Sequence, residues 1–224
     1  MQGELHGGHR KRIDKKTRLV GLEFLEEHEQ LEKLLFAVIP RGNTNELAIK
    51  LIDEFGSIHG VLSADVEQLK SVDGVGARTA EFLHDMMPLL GVVQRSAMAD
   101  ANGKVVVDSP EKRGEFAKTF FYGKLVENLY MVSINSSGQV IGIDKISEGT
   151  STVASVSLHI IAKRAILNEA YAVMLMHNHP GGRLEPSMAD ITLTREVKEA
   201  LAAIDVALID HVIVACGKWM SMFG

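Results

Sequence analysis

A histidine-containing loop after a short apolar run constrains this chain more than any other feature. Residues 171–176 are apolar and too few for a typical helix, so we predict a buried strand that ends at His177. Side chains two positions apart in extended backbone project to the same side. His177 and His179 can therefore converge on one point, where two imidazoles form half of a metal site.

The segment that follows can bring a carboxylate to the same point. Residues 180–186 contain two prolines and two glycines, which interrupt regular structure, and Ser187 then begins a helix with Asp190 in its first turn. Two histidines and one aspartate are the ligand set of a hydrolytic zinc site with an open fourth position. Ser187 and Asp190 also have the spacing of a helix capping box, and both roles can hold at once. We therefore predict a catalytic Zn²⁺ site.

The pattern His-x-His-x7-Ser-x-x-Asp resembles the JAMM motif of the JAB1/MPN metallopeptidases. The flanking sequences HNHPGG, at 177–182, and IDHVIV, at 209–214, are similar to those of the bacterial RadC family. The resemblance covers nearly the whole chain and implies a metal bound by His177, His179 and Asp190. It also implies that Ser187 stabilises a tetrahedral intermediate and that an upstream glutamate is the general base.

Two glutamates compete for the role of general base. Glu127 stands before a predicted strand at 129–134, and JAMM proteins carry their glutamate at the start of such a strand. Glu148 follows a predicted strand at 139–146 and lies in a turn, where a carboxylate is usually only solvated. We prefer Glu127 and keep Glu148 as the alternative, although Glu127 also fits a solvated charge at a strand end.

Length and composition narrow the class of protein. The chain has 224 residues, of which 46% are hydrophobic, and this suits one or two globular domains. Neither a signal peptide nor an apolar run of membrane-spanning length is found, so we expect a cytoplasmic protein without a membrane partner. Cys216 is the only cysteine, which excludes an intramolecular disulfide and a cysteine-based zinc cluster.

Charge and periodicity divide the chain into four parts. Residues 1–19 are polar and basic, and they fit either a mobile terminus or a basic arm that contacts nucleic acid. Periodicity predicts a helical domain at residues 20–95, and the small, polar residues 96–104 are predicted to form a linker. Residues 105–224 form the predicted metal domain.

A tight turn in the helical domain resembles a helix-hairpin-helix. Gly74 and Gly76 separate two predicted helices, and glycines let backbone N–H groups near Arg78 approach a DNA phosphate without sequence selectivity. However, residues 21–100 hold six basic and fourteen acidic side chains, a charge balance that repels DNA. Weak, sequence-independent DNA binding and a hairpin used only for packing therefore both stay open.

The metal domain alternates strands and helices. We predict a short strand at 105–107, a helix at 109–122, a hairpin of strands 129–134 and 139–146, and another strand at 151–156. A helix at 157–167, the metal loop, a helix at 187–203 and a strand at 211–215 complete it. The predicted fold class is an all-α helix-hairpin-helix N-terminal domain plus an α/β, mixed-sheet JAB1/MPN-like C-terminal domain.

The leading functional interpretation is a RadC-like zinc hydrolase that attacks an amide or peptide carbonyl. Residues 158–160 read Leu-His-Ile where RadC proteins usually have Pro-Arg-Glu, so no substrate is carried over from the resemblance. A second interpretation is a DNA-associated accessory protein of repair or recombination whose metal centre is a nuclease site or only structural. A third is a metal-free scaffold.

Overall fold

The computed structural model of the chain describes residues 2–149 and 157–223, which fall into two compact units, Met1–Met87 and Pro88–Gly224. The strand predicted at 151–156 lies outside the described residues. The first unit has one hydrophobic core and the second has two. Within the described ranges, no helix combines the length and the apolar character needed to cross a lipid bilayer.

The first unit is helical, as predicted. Its helices are α1 (Gln2–Val20), α2 (Glu27–Leu35), α3 (Thr44–Phe55), α4 (Ile58–Ser63), α5 (Val66–Lys70) and the beginning of α6 (Ala77–Ala97). Polar side chains cap several helix starts, and in α5 the side chains of Asp65 and Gln68 form a reciprocal capping box. Leucines at helical spacing fill the core: Leu31, Leu35, Leu47, Leu51, Leu69 and Leu83.

Residues 2–19 of the segment 1–19, for which a mobile terminus and a basic arm were both open, lie in the helix α1. His9 Nε2 lies 2.9 Å from Glu32 Oε2, and Lys16 Nζ lies 2.5 Å from Glu29 Oε2. Ile13, between them on the same helical face, is buried. The basic composition conceals this packed face, whose partners lie on α2. Contact of residues 1–19 with nucleic acid stays a prediction.

The boundary between the units also differs from the predicted linker at 96–104, because it falls inside α6, which continues to Ala97. In the second unit, Arg95 Nη1 donates to the Thr119 carbonyl oxygen at 2.7 Å. A Cβ on Gly91 would lie 2.1 Å from that same oxygen, so this close approach requires glycine. These contacts tie the last turns of α6 to the second unit, and nothing in the local composition signals them.

The second unit is an α/β domain with a mixed five-stranded sheet. Its elements are α7 (Pro110–Lys118), β1 (Asn128–Ile134), β2 (Val140–Glu148), α8 (Leu158–Leu167), β3 (Ala172–Asn178), α9 (Met188–Ala202), β4 (Ala207–Ala215) and β5 (Lys218–Ser221). The strand order is β2-β1-β3-β4-β5. Only β3 and β4 pair in parallel, and the other neighbours are antiparallel. The mixed sheet agrees with the prediction, whereas β5 was not predicted.

The short strand predicted at 105–107 is not formed, whereas the predicted hairpin of β1 and β2 is. Residues 105 and 106 form only isolated bridges in place of the short strand predicted at 105–107. The hairpin between β1 and β2 is present, and Asn135 Oδ1 accepts hydrogen bonds from the backbone N–H groups of Ser137 and Gln139. The turn chemistry in the sequence therefore located the hairpin correctly.

Helices cover both faces of the sheet, and the strand order makes β3 its central strand. One core, on the α7 side, includes Phe116, Val132, Met174 and Val212. The other core, on the side of α8 and α9, includes Leu129, Ile161, Leu175 and Val197. Side chains alternate along a strand, so His177 shares the face of Leu175 and points toward α9.

Candidate metal centre

Strand β3 and the loop after it place the two histidines. His177 is the sixth residue of β3 and is fully buried. The chain stays paired with β4 one residue beyond the strand, because the His179 N–H donates to the Val214 carbonyl oxygen at 2.9 Å. A turn then closes between His179 and Gly182, whose φ of +83° favours glycine.

The start of α9 supplies the carboxylate. Ser187 caps this helix: its Oγ accepts from the Asp190 N–H at 3.1 Å, and the Ser187 N–H donates to Asp190 Oδ2 at 2.7 Å. The reciprocal bonds are the predicted capping box. They fix the Asp190 side chain so that its carboxylate faces the two imidazoles.

The three predicted ligands come together in a tight cluster. His177 Nε2 lies 3.2 Å from Asp190 Oδ1, and His179 Nε2 lies 3.3 Å from Asp190 Oδ2. One ligand atom from each residue fits within a mutual distance of 4.8 Å. Two imidazole nitrogens and one carboxylate oxygen are the donors that Zn²⁺ prefers in catalytic sites. The residues present therefore fit a zinc ion.

Hydrogen bonds on the far side of each imidazole orient the ring. His179 Nδ1 lies 2.7 Å from the Arg183 carbonyl oxygen, and a carbonyl can only accept, so Nδ1 donates to it and Nε2 faces the cluster. His177 Nδ1 lies 2.8 Å from Nε2 of His211, which is also fully buried. Such partners behind the ligands are typical of metal-binding histidines.

The surroundings of Asp190 favour its ionised form, and those of His211 favour its neutral form. Burial, the largest influence, raises the pKa of the Asp190 carboxyl, but hydrogen bonds to His177 and Ser187 outweigh it and bring that pKa below its ordinary value. Complete burial, followed by the proximity of His177, lowers the pKa of His211 well below its usual range. Asp190 can thus serve as an anionic ligand at neutral pH.

A groove of about 880 Å³ runs past the cluster and is lined by residues that include Glu127, His179, Arg183 and Ser187. The pairing of β1 with β3 sets Leu129 opposite His177, so Glu127 precedes β1 at the level of His179. The Ser187 hydroxyl donates to Asp190 Oδ2 at 2.7 Å. Both predicted catalytic residues therefore border the groove.

Glu148 occupies a different environment from Glu127. It lies at the end of β2, is exposed, and its Oε2 is 2.5 Å from Lys145 Nζ. The hydrogen bond from Lys145 lowers the pKa of the Glu148 carboxyl. Glu148 is not among the residues that line the groove. The assignment of the general base to Glu127 stays a prediction, to be tested by turnover.

The predicted DNA-contacting residues lie together at the start of α6. Gly74 adopts a φ of +98°, and Gly74, Gly76 and Arg78 are all exposed, whereas Val75 between the glycines is buried. The turn joins α5 to α6, as expected of a hairpin between helices. Asp73 is also exposed beside it. Assignment to the helix-hairpin-helix class and DNA binding both stay predictions.

Sequence reasoning missed the residues behind the cluster. His211 lies within the segment 209–214 that resembles family sequences, and Thr194 lies on α9, but the sequence predicts no role for either residue. Thr194 Oγ1 lies 2.6 Å from His211 Nδ1. The only sequence signal was a histidine within an apolar strand, which more often marks a packed core residue.

Known proteins resemble this chain over most of its length. A family model described as a RadC-like JAB domain matches residues 107–224. A UPF0758 protein of Variovorax paradoxus is 33% identical over 204 residues, which cover 90% of this chain and 89% of that protein. A UPF0758 protein of Fusobacterium nucleatum is 30% identical over 221 residues, covering 96% and 94%. A UPF0758 protein of an Acidovorax strain is 36% identical over 169 residues, covering 75% and 69%.

Proposed function

Since the chain belongs to the RadC-like JAB domain family, we propose that it is a zinc-dependent hydrolase that cleaves an amide or peptide bond. JAB domains are a fold typical of metal-dependent hydrolases. The observation that carries the proposal is the convergence of His177, His179 and Asp190 beside an open groove. With three protein ligands, a fourth position is left for water or substrate, as catalytic zinc sites require.

The chain's own residues supply the remaining chemistry. Bound zinc would polarise a carbonyl and make water acidic enough to deprotonate near neutral pH. The Glu127 carboxylate, at the edge of the groove, accepts the proton of the attacking water. The Ser187 hydroxyl donates to the developing oxyanion after rotating away from Asp190 Oδ2, to which its single proton now points.

A substrate screen with zinc-loaded protein tests the proposal. It includes linear peptides, isopeptide-linked peptides, and single- and double-stranded DNA. We expect hydrolysis of one amide class, abolished by Asp190→Ala and retained by Glu196→Ala, which removes an exposed carboxylate from the same helix. Cleavage of phosphodiesters alone, or amide hydrolysis that survives Asp190→Ala, would contradict it.

We further propose weak, sequence-independent DNA binding by the first unit. The supporting observation is the exposed glycine turn before α6, where backbone N–H groups at a helix start can donate to a phosphate. The acidic balance of residues 21–100 limits the affinity. A DNA-associated role and a hydrolase role are compatible, because their residues lie in different units.

A further inference from the structure

The side chain of Asn178 contacts the backbone on both sides of Glu127. Its Nδ2 donates to the Val126 carbonyl oxygen at 3.0 Å, and its Oδ1 accepts from the Asn128 N–H at 2.8 Å. The first of these backbone groups belongs to the peptide bond before Glu127, and the second belongs to the peptide bond after it. A single carboxamide therefore holds both peptide groups that flank the proposed general base.

The chemistry of the two backbone partners fixes the orientation of this carboxamide. A carbonyl oxygen can only accept and a backbone N–H can only donate, so the Asn178 amide nitrogen faces Val126 and its oxygen faces Asn128. The reversed orientation would set two oxygens against each other and two N–H groups against each other. Asn178 is buried, with 4% of its surface exposed, so bulk water has little access to these bonds.

Two further hydrogen bonds complete the hold on this segment. Asn128 Nδ2 also donates to the Val126 carbonyl oxygen, at 2.9 Å. A carbonyl oxygen has two lone pairs, so it can accept from both asparagines at once. On the side of β2, the Gly149 N–H donates to the Glu127 carbonyl oxygen at 2.8 Å. The backbone at 126–128 is thus held from the sides of both neighbouring strands.

The place of Asn178 in the sheet links the proposed base to the proposed metal ligands. Asn178 ends β3 and lies between His177 and His179, and side chains alternate along a strand, so it points away from the face that carries them. The backbone register between β1 and β3 ends at the pair of Leu129 and His177. Asn178 therefore continues the connection between the two strands beyond that pair, beside Glu127.

We propose that Asn178 is a positioning residue that fixes the backbone of Glu127 relative to the strand of the histidines, and so sets where the Glu127 carboxylate meets the groove. A general base must come within about 2.6 to 3.2 Å of the group whose proton it accepts, and an error of about 1 Å can cost about 10²-fold in rate. The inference rests on the proposed function, because it assigns a partner to the base of that reaction. The hydrogen bonds themselves are a property of the chain without metal or substrate.

A double-mutant cycle with zinc-loaded protein and the amide substrate from the screen tests the inference. Asn178→Ala removes both hydrogen bonds and should lower kcat about 10- to 100-fold while the protein keeps its zinc. In the Glu127→Gln background, the same substitution should change the single-turnover rate by less than about threefold, because the group that Asn178 positions is already absent. Equal losses in both backgrounds, or loss of zinc from Asn178→Ala, would overturn the inference.

Asn135→Ala is the matched control. Asn135 lies just beyond the opposite end of β1, and its side chain likewise accepts backbone hydrogen bonds, from Ser137 and Gln139. Its removal should weaken the sheet locally but leave kcat within about twofold of wild type, because the site is distant from this turn. A fall in kcat as large as that of Asn178→Ala would show that any weakening of β1 has this effect, and the role of Asn178 would be refuted.

Amide hydrogen exchange in the metal-free wild-type protein provides a test that needs no substitution. We expect the Asn128 N–H to exchange as slowly as the amides in the interior of β1, although its partner is a side chain. Exchange as fast as that of an exposed amide without a hydrogen bond would contradict the inference, whether or not the variants fold.

The inference and the proposed function fail in distinguishable ways. If the wild-type protein cleaves no amide, the proposed function is lost, while slow exchange at Asn128 would still support the hold on the Glu127 backbone. If the protein cleaves an amide but the two substitutions act independently, the function stands and the role of Asn178 is lost.

Discussion

The Asp190 carboxylate makes two kinds of contact at once: it completes the helix cap with Ser187, and it faces the imidazoles. A side chain serving only as a cap would not need both oxygens within 3.3 Å of histidine nitrogens. At the scale of single residues, the capping box and the candidate metal site therefore share one carboxylate. The cap orients the carboxylate toward the two imidazoles.

The lowered pKa of Asp190 predicts a pH dependence of stability. A carboxyl with a depressed pKa in the folded state stabilises the protein above the unfolded pKa, 3.8, and loses this contribution as pH falls toward the folded value. In metal-free protein, Asp190→Asn should therefore cost more unfolding free energy at pH 6 than at pH 3. Urea titrations at several pH values measure the difference. A penalty that is constant with pH would refute this account.

Substitution of Glu127 and substitution of Glu148 should have different effects on kcat. Glu127→Gln should keep zinc and lower kcat by about 10²- to 10⁴-fold, because the proton acceptor beside the groove is lost. Glu148→Gln removes a charge paired with Lys145 at the surface and should leave kcat nearly unchanged. Steady-state kinetics with the cleaved substrate decide between them. The reverse pattern would assign the base to Glu148.

At the scale of elements, Gly114 lets α7 pack against β5. A Cβ at this position would lie 2.0 Å from Trp219 Cδ2, well inside contact distance. Gly114→Ala should therefore lower the unfolding free energy by about 1 to 3 kcal/mol, although alanine is the better helix former. Chemical denaturation followed by far-UV circular dichroism measures this change.

The control for this prediction is Gly114→Ala introduced into a Trp219→Ala variant. With the indole removed, Gly114→Ala should become neutral or stabilising, because only the gain in helix propensity remains. Equal destabilisation in both backgrounds would show that the cost arises elsewhere in α7.

Local patterns in the sequence predicted the cluster of His177, His179 and Asp190. The residues that these patterns missed are placed by contacts between segments far apart in the sequence. The buried strand, the interrupted loop and the capped helix start are all encoded within residues 171–190, so the cluster could be predicted from sequence. The place of His211 depends on parallel pairing of β3 with β4, in which it lies beside Leu175. The packing of helix α1 depends on contacts with carboxylates of α2. Neither dependence is visible in a local window.

At the scale of the whole chain, the residues proposed for hydrolysis and those proposed for DNA contact belong to separate units. DNA binding should be micromolar or weaker near physiological salt and should fall steeply as salt increases, since only phosphate contacts are available. Fluorescence anisotropy with duplexes of different sequence measures both trends. Nanomolar, salt-insensitive or strongly sequence-specific binding would contradict this prediction.

Gly76→Ala tests the turn itself. An added Cβ meets no atom within 4 Å, so the fold should tolerate it, while the close approach of a phosphate should not. We expect weaker DNA binding with unchanged thermal stability. Arg195→Ala, which removes an exposed cation from α9 in the second unit, is the control and should leave DNA binding unchanged. Equal DNA binding by wild type and Gly76→Ala would exclude the turn as the contact.

The central claim is that His177, His179 and Asp190 hold a metal, and elemental analysis of the purified protein tests it most directly. We predict about one zinc per chain in the wild-type protein, because the chain presents one cluster of three suitable ligands within the described ranges. The double variant His177→Ala, His179→Ala should lose the zinc and keep its helical first unit by circular dichroism. Full zinc occupancy in the folded double variant would contradict the account.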